Sequence, residues 1–166
     1  MGRHDGDERR GTPAIRALTG AAVPFTVHRY EHDARATSYG GEAAAALGVS
    51  PGRVLKTLVA EVDGALVVAV LPVERSLDLK ALAGVVGGKR AALADPAVAQ
   101  RATGYVVGGI SPFGQRRRLP TVVDVAATTA ATVYVSGGRR GLQVELAPAD
   151  LVRLTGARLA RVARPG

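Results

Sequence analysis

The sequence predicts a single α+β domain: a mixed, mostly antiparallel sheet, curved or barrel-like, with flanking helices. Three observations carry this. Helix-like and strand-like stretches intermingle, yet hairpin signals outnumber the regular strand–helix–strand alternation of a doubly wound sheet. Asp63-Gly64 separates two long apolar runs, "VLKTLVAEV" and "ALVVAVLPV", and Asp-Gly in that setting is the strongest short hairpin signal. With 166 residues, 47% hydrophobic and 22% charged, the chain can bury one core and is too apolar for wholesale disorder.

Each element has its own local reason. Residues 1–11, "MGRHDGDERRG", have no apolar period and predict a disordered leader, leaving 12–166 as the folded domain. In "TPAIRALTG", Thr12 can cap a helix, Pro13 suits its first position and Gly20 its stop. "PFTVHRY" (24–30) alternates as a short strand. "EAAAALG" (42–48) is helical by propensity and stopped by Gly48, and "SPGR" begins a turn capped by Ser50. After the hairpin, "SLDLKALAGVVG" predicts a helix capped by Ser76, and "DPAVAQRATG" one with Asp95 as cap, Pro96 first and Gly104 as stop. The apolar run of "GYVVGG" reads as a core strand. "TVVDVA", "ATVYVS" and "GLQVELA" read as three more strands, "PADLVRLTG" as a last helix and "ARLARVA" as a last strand.

Composition narrows the function classes. Aromatics are only 4%, so Val, Leu, Ala and Ile must build the core. The net charge of +8 suggests an acidic partner, of which nucleic acid is the commonest; a general arginine-rich composition accounts for the charge equally well. No cysteine is present, which excludes disulfides, cysteine-based zinc sites and a cysteine nucleophile. The N-terminal stretch has no apolar h-region, and no apolar run approaches the roughly 20 residues of a membrane span. The expectation is a soluble, cytoplasmic chain with no membrane partner.

Candidate chemistry gathers at a few residues. Lys56 sits in the apolar strand "VLKTLV" on the face of Val54, Leu58 and Ala60, and a buried lysine there needs an anion or a carbonyl oxygen; an edge lysine snorkelling to water fits the segment as well. Gly108–Gly109 allow close approach of backbone to a ligand, or simply a bend. "ISPFGQRRRLP" adds Arg116, Arg117 and Arg118, and "SGGRRG" repeats the pattern with Arg139 and Arg140. Two Gly-Gly/Arg clusters suggest a phosphate-contacting rim. His28 and His32 lack further ligands at metal spacing and read as structural or binding residues. No G-x-S-x-G elbow or triad spacing is present. The set positions a substrate and stabilises charge rather than attacking one.

Taken together, "YEHD", "VLKTLV", "LDLK", "ADPAVAQRATGYVVGGISPFGQ", "LPT" and "VYVSGGRRGL" resemble the bacterial YbaK family, free-standing relatives of the editing domain of bacterial prolyl-tRNA synthetase. The resemblance covers nearly all of 12–166, which it identifies as an aminoacyl-tRNA editing domain. It implies hydrolysis of a wrong amino acid from tRNA, typically cysteinyl-tRNA(Pro), because binding alone separates similar small side chains poorly. By matching motif, Lys56 and the Gly109 backbone are implied as catalytic. Tyr30, Tyr39, Gly108, Ile110 and Ser136 are implied as substrate-binding, and the two arginine clusters as contacts to the tRNA acceptor end. Gln143 stands where the family often has an acid, so no carboxylate role transfers. The family picture has the substrate's own thiol attack its ester, with no metal and no organic cofactor. A domain this small has little surface for reading an anticodon, so a transient complex with prolyl-tRNA synthetase is a further expectation. Deacylation of another small aminoacyl-tRNA such as Ala-tRNA(Pro), or non-catalytic tRNA binding through the basic rim, are the alternatives.

Overall fold

The computed structural model describes residues 11–36 and 38–166; of the expected leader, all but Gly11 lies outside the described residues. Within them, five α-helices and ten strands form one α+β unit. The chain runs α1 (Pro13–Ala21), β1 (Thr26–Arg29), α2 (Tyr39–Leu47), β2 (Leu55–Val62), β3 (Ala65–Pro72), β4 (Arg75–Leu77), α3 (Leu79–Val85), β5 (Ala91–Leu93) and α4 (Pro96–Thr103). It continues with β6 (Thr121–Asp124), β7 (Val133–Ser136), β8 (Leu142–Leu146), α5 (Pro148–Thr155), β9 (Arg158–Ala160) and β10 (Ala163–Pro165).

The hairpin at Asp63-Gly64 forms as expected. Both turn residues have positive φ, 49° and 87°, the combination that two-residue hairpins require. β3 is its inner arm and is buried on both faces. Val68 and Val70 join the main core with Leu18, Val123, Val144 and Leu151, while Val67, Ala69 and Leu71 pack against Leu82 and Val162.

The strands make a five-stranded mixed sheet, β5-β2-β3-β6-β9, a three-stranded antiparallel sheet, β1-β8-β7, and a β10-β4 pair. Only β3–β6 and β6–β9 are parallel, so antiparallel pairing dominates as expected. The larger sheets meet at a single bridge, Val54 to Tyr134. The barrel stays open, and its open seam lies along β2.

Several boundaries depart from the sequence reading, each for a tertiary reason. α1 runs past Gly20 to Ala21, and Ala22, at φ 56°, caps it by donating to Thr19. α2 starts at Tyr39 rather than Glu42, with Ser38 accepting from the Gly41 amide. Its glycines are poor helix formers, but a Cβ at Gly40 would lie 2.1 Å from Val73 Cγ1, so packing overrides propensity. Ser50 precedes a short 3-10 turn without a side-chain cap bond. Asp78, not Ser76, caps α3, its carboxylate accepting from the Ala81 amide at 3.0 Å; Ser76 instead lies in β4, opposite Arg164. "ARLARVA" divides into β9 and β10 because Asp124 Oδ1 captures the amides of Val162 and Ala163 between and at the start of these strands.

The largest correction concerns "GYVVGG", which is not a strand. Gly109 donates to the Val106 carbonyl in a turn, and Val107 bonds to the side chains of Gln100 and Arg140. With its backbone satisfied by side chains, the segment makes no ladder. Tyr105 anchors it from below, its hydroxyl donating to the Phe113 carbonyl at 2.6 Å.

Candidate active site

A cavity of about 340 Å³ opens on the seam between the two larger sheets. Leu55 to Val59 of β2 form one wall; Ser38 with Tyr39 and Gly40 of α2 stand at one end, Leu93, Ala94, Pro96 and Ala99 at the other, and Val107, Gly108 and Ile110 form the roof. Ser136 of β7 and Gln143 of β8 close the far side. These two are direct partners in the ladder, which places their side chains on one face.

Five consecutive β2 residues line the cavity because it borders the edge of that strand. Val54 accepts from the Val73 amide, and alternate residues of an antiparallel strand bond to the same neighbour. Lys56, Leu58 and Ala60 therefore bond toward β3, while Leu55, Thr57 and Val59 direct their peptide groups outward. Ala94 donates to the Val59 carbonyl. Continuing the β2–β5 register by two residues would bring Pro96 opposite Thr57, but proline has no N–H and opens α4. The Thr57 backbone is thus left without a strand partner on the cavity side.

Lys56 is half-buried, opposite Leu71, and is the one charged side chain lining the cavity among the described residues. Burial lowers the pKa of its ammonium, as expected where no carboxylate compensates desolvation. It lies where β2 is paired to β3 on one side and borders the cavity on the other.

Ser136 is buried, and its hydroxyl is fully committed. It donates to the Gly109 carbonyl at 2.9 Å and accepts from the Gly138 amide at 3.1 Å. Gly109 in turn has its amide bonded to Val106 and its carbonyl to Ser136; its neighbours Gly108 and Ile110 line the cavity and Gly109 itself does not, its part being the close approach of two loops. A Cβ on Gly109 would sit 2.8 Å from the Arg139 Cα. Gly108, at φ 86°, admits the ring of Tyr39, whose atoms would lie 2.7 Å from a Cβ there.

Tyr39 is a rim residue. The Arg140 guanidinium lies 4.7 Å from its ring centroid and also donates to the Val107 carbonyl at 3.0 and 2.6 Å, fastening the "SGGRRG" loop to the roof. Tyr30, expected to bind substrate, is not among the lining residues; it packs against the cluster of Ala43, Ala44, Val54 and Tyr134, burial raises the pKa of its hydroxyl, and a hydrogen bond with the Gln143 side chain partly offsets this. Ile110 is buried in both the lining and the main core.

The structure thus brings together Lys56, Tyr39, Gly108, Ile110 and Ser136, with Gly109, Arg139 and Arg140 at the roof and rim. It does not bring Arg116, Arg117 and Arg118 to the cavity. The amides of Arg116 and Arg117 bond the last carbonyls of α4, whereas Pro96 at its first turn touches the cavity. Eight residues of helix separate the two by about 12 Å. All three arginines are exposed.

Each candidate histidine is engaged by a different carboxylate: His28 with Glu145 at 2.9 Å and His32 with Glu42 at 2.8 Å. Thr132 donates to Glu145 at 2.5 Å and, with His28, holds its pKa low. Among the described residues no group of three His, Cys, Asp or Glu could hold a metal ion, and no helix is long and apolar enough to cross a membrane.

Thr57 was not singled out by the sequence reading. Its signal is a hydroxyl between Leu55 and Val59 on the core-facing side of the strand that carries Lys56.

Comparisons with known proteins show the family. The family model described as "Aminoacyl-tRNA editing domain" matches residues 33–154. EbsC of Enterococcus faecalis, whose name assigns it Cys-tRNA(Pro)/Cys-tRNA(Cys) deacylation, is 34% identical over 152 residues, 91% of this chain and 92% of EbsC. The Escherichia coli protein named multifunctional Ser/Thr-tRNA deacylase ProXp-y is 40% identical over 81 residues, 46% of this chain and 48% of its own. A crystal structure described as a trans-editing enzyme for prolyl tRNA synthetase superposes with a TM-score of 0.80 at 26% identity, covering 92% of this chain and 98% of the other. Matched by the family model over residues 33–154 and by EbsC along 91% of its length, this chain belongs to the aminoacyl-tRNA editing domain family.

Proposed function

We propose that this aminoacyl-tRNA deacylase discharges cysteinyl-tRNA(Pro), using the thiol of the substrate as nucleophile. The observation that carries the reading is a cavity equipped to position an ester whose described lining holds hydroxyls but no histidine or carboxylate to activate one as a nucleophile. The Thr57 hydroxyl has no base beside it in that lining, and the Ser136 hydroxyl is spent on bracing Gly109. Lys56 supplies the one positive charge, suited to the oxyanion that develops at the ester carbonyl.

In the step this implies, the cysteinyl sulfur bonds to its own carbonyl carbon and the bond from that carbon to the ribose oxygen breaks. The thiol proton goes to the departing ribose oxygen. The four-membered thiolactone so formed is opened by water to free cysteine. The protein's share is to hold the reacting atoms together and stabilise charge.

Arg139 and Arg140 at the rim, and Arg116 to Arg118 along the neighbouring surface, serve the phosphates of the acceptor end. Such a small surface has little to read in the body of a tRNA, so we also propose a transient complex with prolyl-tRNA synthetase, which would supply tRNA selectivity.

The test is discharge of purified cysteinyl-tRNA(Pro), with and without prolyl-tRNA synthetase. Release of cysteine by the chain supports the reading, and acceleration by the synthetase supports the complex. Salt-sensitive binding with the ester left intact would show a tRNA-binding module instead. Faster release from alanyl-tRNA(Pro) than from cysteinyl-tRNA(Pro) would move the substrate assignment.

A further inference from the structure

A second cavity, of about 280 Å³, is bounded by α1, by the loop that carries Arg118, and by the end of α5. No residue lines both cavities. Its inner wall is apolar, because Leu18, Phe113 and Leu119 are buried members of the main core. Gln115, Arg118, Thr121 and Thr155 add polar groups to the lining.

The hydroxyl hydrogens of Thr121 and Thr155 are spent on the Leu119 and Leu151 carbonyls, which leaves both oxygens able to accept. Gln115 donates to the Ser111 carbonyl at 2.9 Å. That bond fixes its amide and leaves a second N–H and the side-chain oxygen to offer.

Arg118 is exposed, and its Nη2 lies 3.2 Å from where a Cβ on Gly156 would be. Gly156 ends α5, and a guanidinium there would ordinarily cap the last carbonyls of the helix. Those of Leu151, Val152 and Arg153 are already taken, by Thr155, Ala157 and Gly156. Arg118 forms no ion pair among the described residues, and Arg153 nearby in α5 is paired with Asp150. Arg118 therefore presents its fork of donors at the pocket with no carboxylate to receive it.

An apolar slot edged by an amide and hydroxyl oxygens, with an arginine fork beside it, complements a nucleotide. The base faces meet the apolar wall, the base edge meets Gln115, and the phosphate meets Arg118. An acidic side chain would satisfy Arg118 alone and leave the wall and Gln115 unmatched. Arg116 and Arg117, both exposed beside it, add attraction for an anion. We propose that this pocket binds a nucleotide, base inward and phosphate on Arg118. A free mononucleotide and an unpaired nucleotide of an RNA chain carry the same chemistry. Because the two cavities share no lining residue, the proposal stands apart from the deacylase reading.

The test is equilibrium dialysis of nucleoside 5′-monophosphates and the matching nucleosides against the wild type, Ala17→Trp, Gln115→Leu and Arg118→Ala. Ala17 lines the pocket from an exposed position on α1, so a tryptophan there fills the pocket without entering the core. Ala17→Trp should weaken nucleotide binding at least about 10-fold, and Arg118→Ala should do so for monophosphates but not for nucleosides. Gln115→Leu should change the order of preference among the bases. Two RNA hairpins, one blunt and one with an unpaired 3′ end, separate the sources. Loss in Ala17→Trp confined to the hairpin with the unpaired end assigns the pocket to RNA; loss confined to mononucleotides assigns it to a free nucleotide. Unchanged binding of every probe in Ala17→Trp, with thermal unfolding showing that it is folded, overturns the proposal. If that variant does not fold, unchanged binding in both Arg118→Ala and Gln115→Leu overturns it. A pocket that takes an aspartate-rich peptide and no nucleotide also overturns it, and belongs to a protein partner.

Discussion

Lys56 shows how one residue can be kept at the expense of stability. Its ammonium is desolvated with no anion in the cavity lining, and its pKa is lowered accordingly. Between the lowered folded pKa and the ordinary lysine value, the unfolded chain binds more protons. Stability therefore rises with pH across that window, and the charged form is a burden below it. Catalysis has the opposite sign, because the ammonium that stabilises an oxyanion is lost as pH rises through the lowered value. Lys56→Met should therefore lower turnover about 100-fold while leaving thermal unfolding at neutral pH unchanged or improved. Wild-type turnover should decline on the alkaline side earlier than an ordinary lysine would dictate. A stopped assay across pH, with calorimetry of both proteins, checks both halves. Lys56 was legible in the sequence because a lysine within an apolar strand is conspicuous. Thr57 beside it was not, since a threonine in a strand is ordinary until its oxygen is found without a partner.

At the scale of elements, the site depends on two glycine loops meeting backbone to backbone. The sequence shows the pairs Gly108–Gly109 and Gly137–Gly138 but not that Gly109 meets the Arg139–Arg140 main chain of the second loop, because that contact depends on how β7 and α4 are brought together. The same limit explains the error at "GYVVGG": β-branched residues favour a strand, yet Gln100 and Arg140 supply the hydrogen bonds that a ladder would have supplied. Short strands such as β4 and β5 were missed for a related reason. Three residues leave no room for a period, and their identity comes from the partner strand. By contrast the hairpin, α4 and α5 were readable, because turn and cap chemistry is local. Gly109→Ala tests the loop contact. Its Cβ would meet Arg139 main chain at 2.8 Å, and backbone cannot rotate away as a side chain can. We expect about 1–3 kcal/mol of destabilisation in urea unfolding, with reduced turnover on the folded protein.

For the whole molecule, the question is how a domain with net charge +8 presents its cavity to a polyanion. Arg139 and Arg140 are beside the mouth, and Arg140 is partly committed to Val107 and Tyr39. Arg116, Arg117 and Arg118 are free of the cavity and a helix length away. Charge reversal of Arg117 and Arg118 should therefore raise KM for aminoacyl-tRNA and reduce its salt dependence, with little change in kcat. Reversal of Arg140 should alter both parameters, because it also unfastens the roof. Steady-state kinetics at two salt concentrations separates the two outcomes.

The central claim is that the cavity positions an ester whose own side chain does the attacking. Single-turnover discharge of cysteinyl-tRNA(Pro) against seryl-tRNA(Pro), which replaces sulfur by oxygen, tests it most directly. The account predicts that the seryl ester is discharged at least about 10-fold more slowly, the thiolate being much the better nucleophile at neutral pH. Equal rates for the two esters would contradict it.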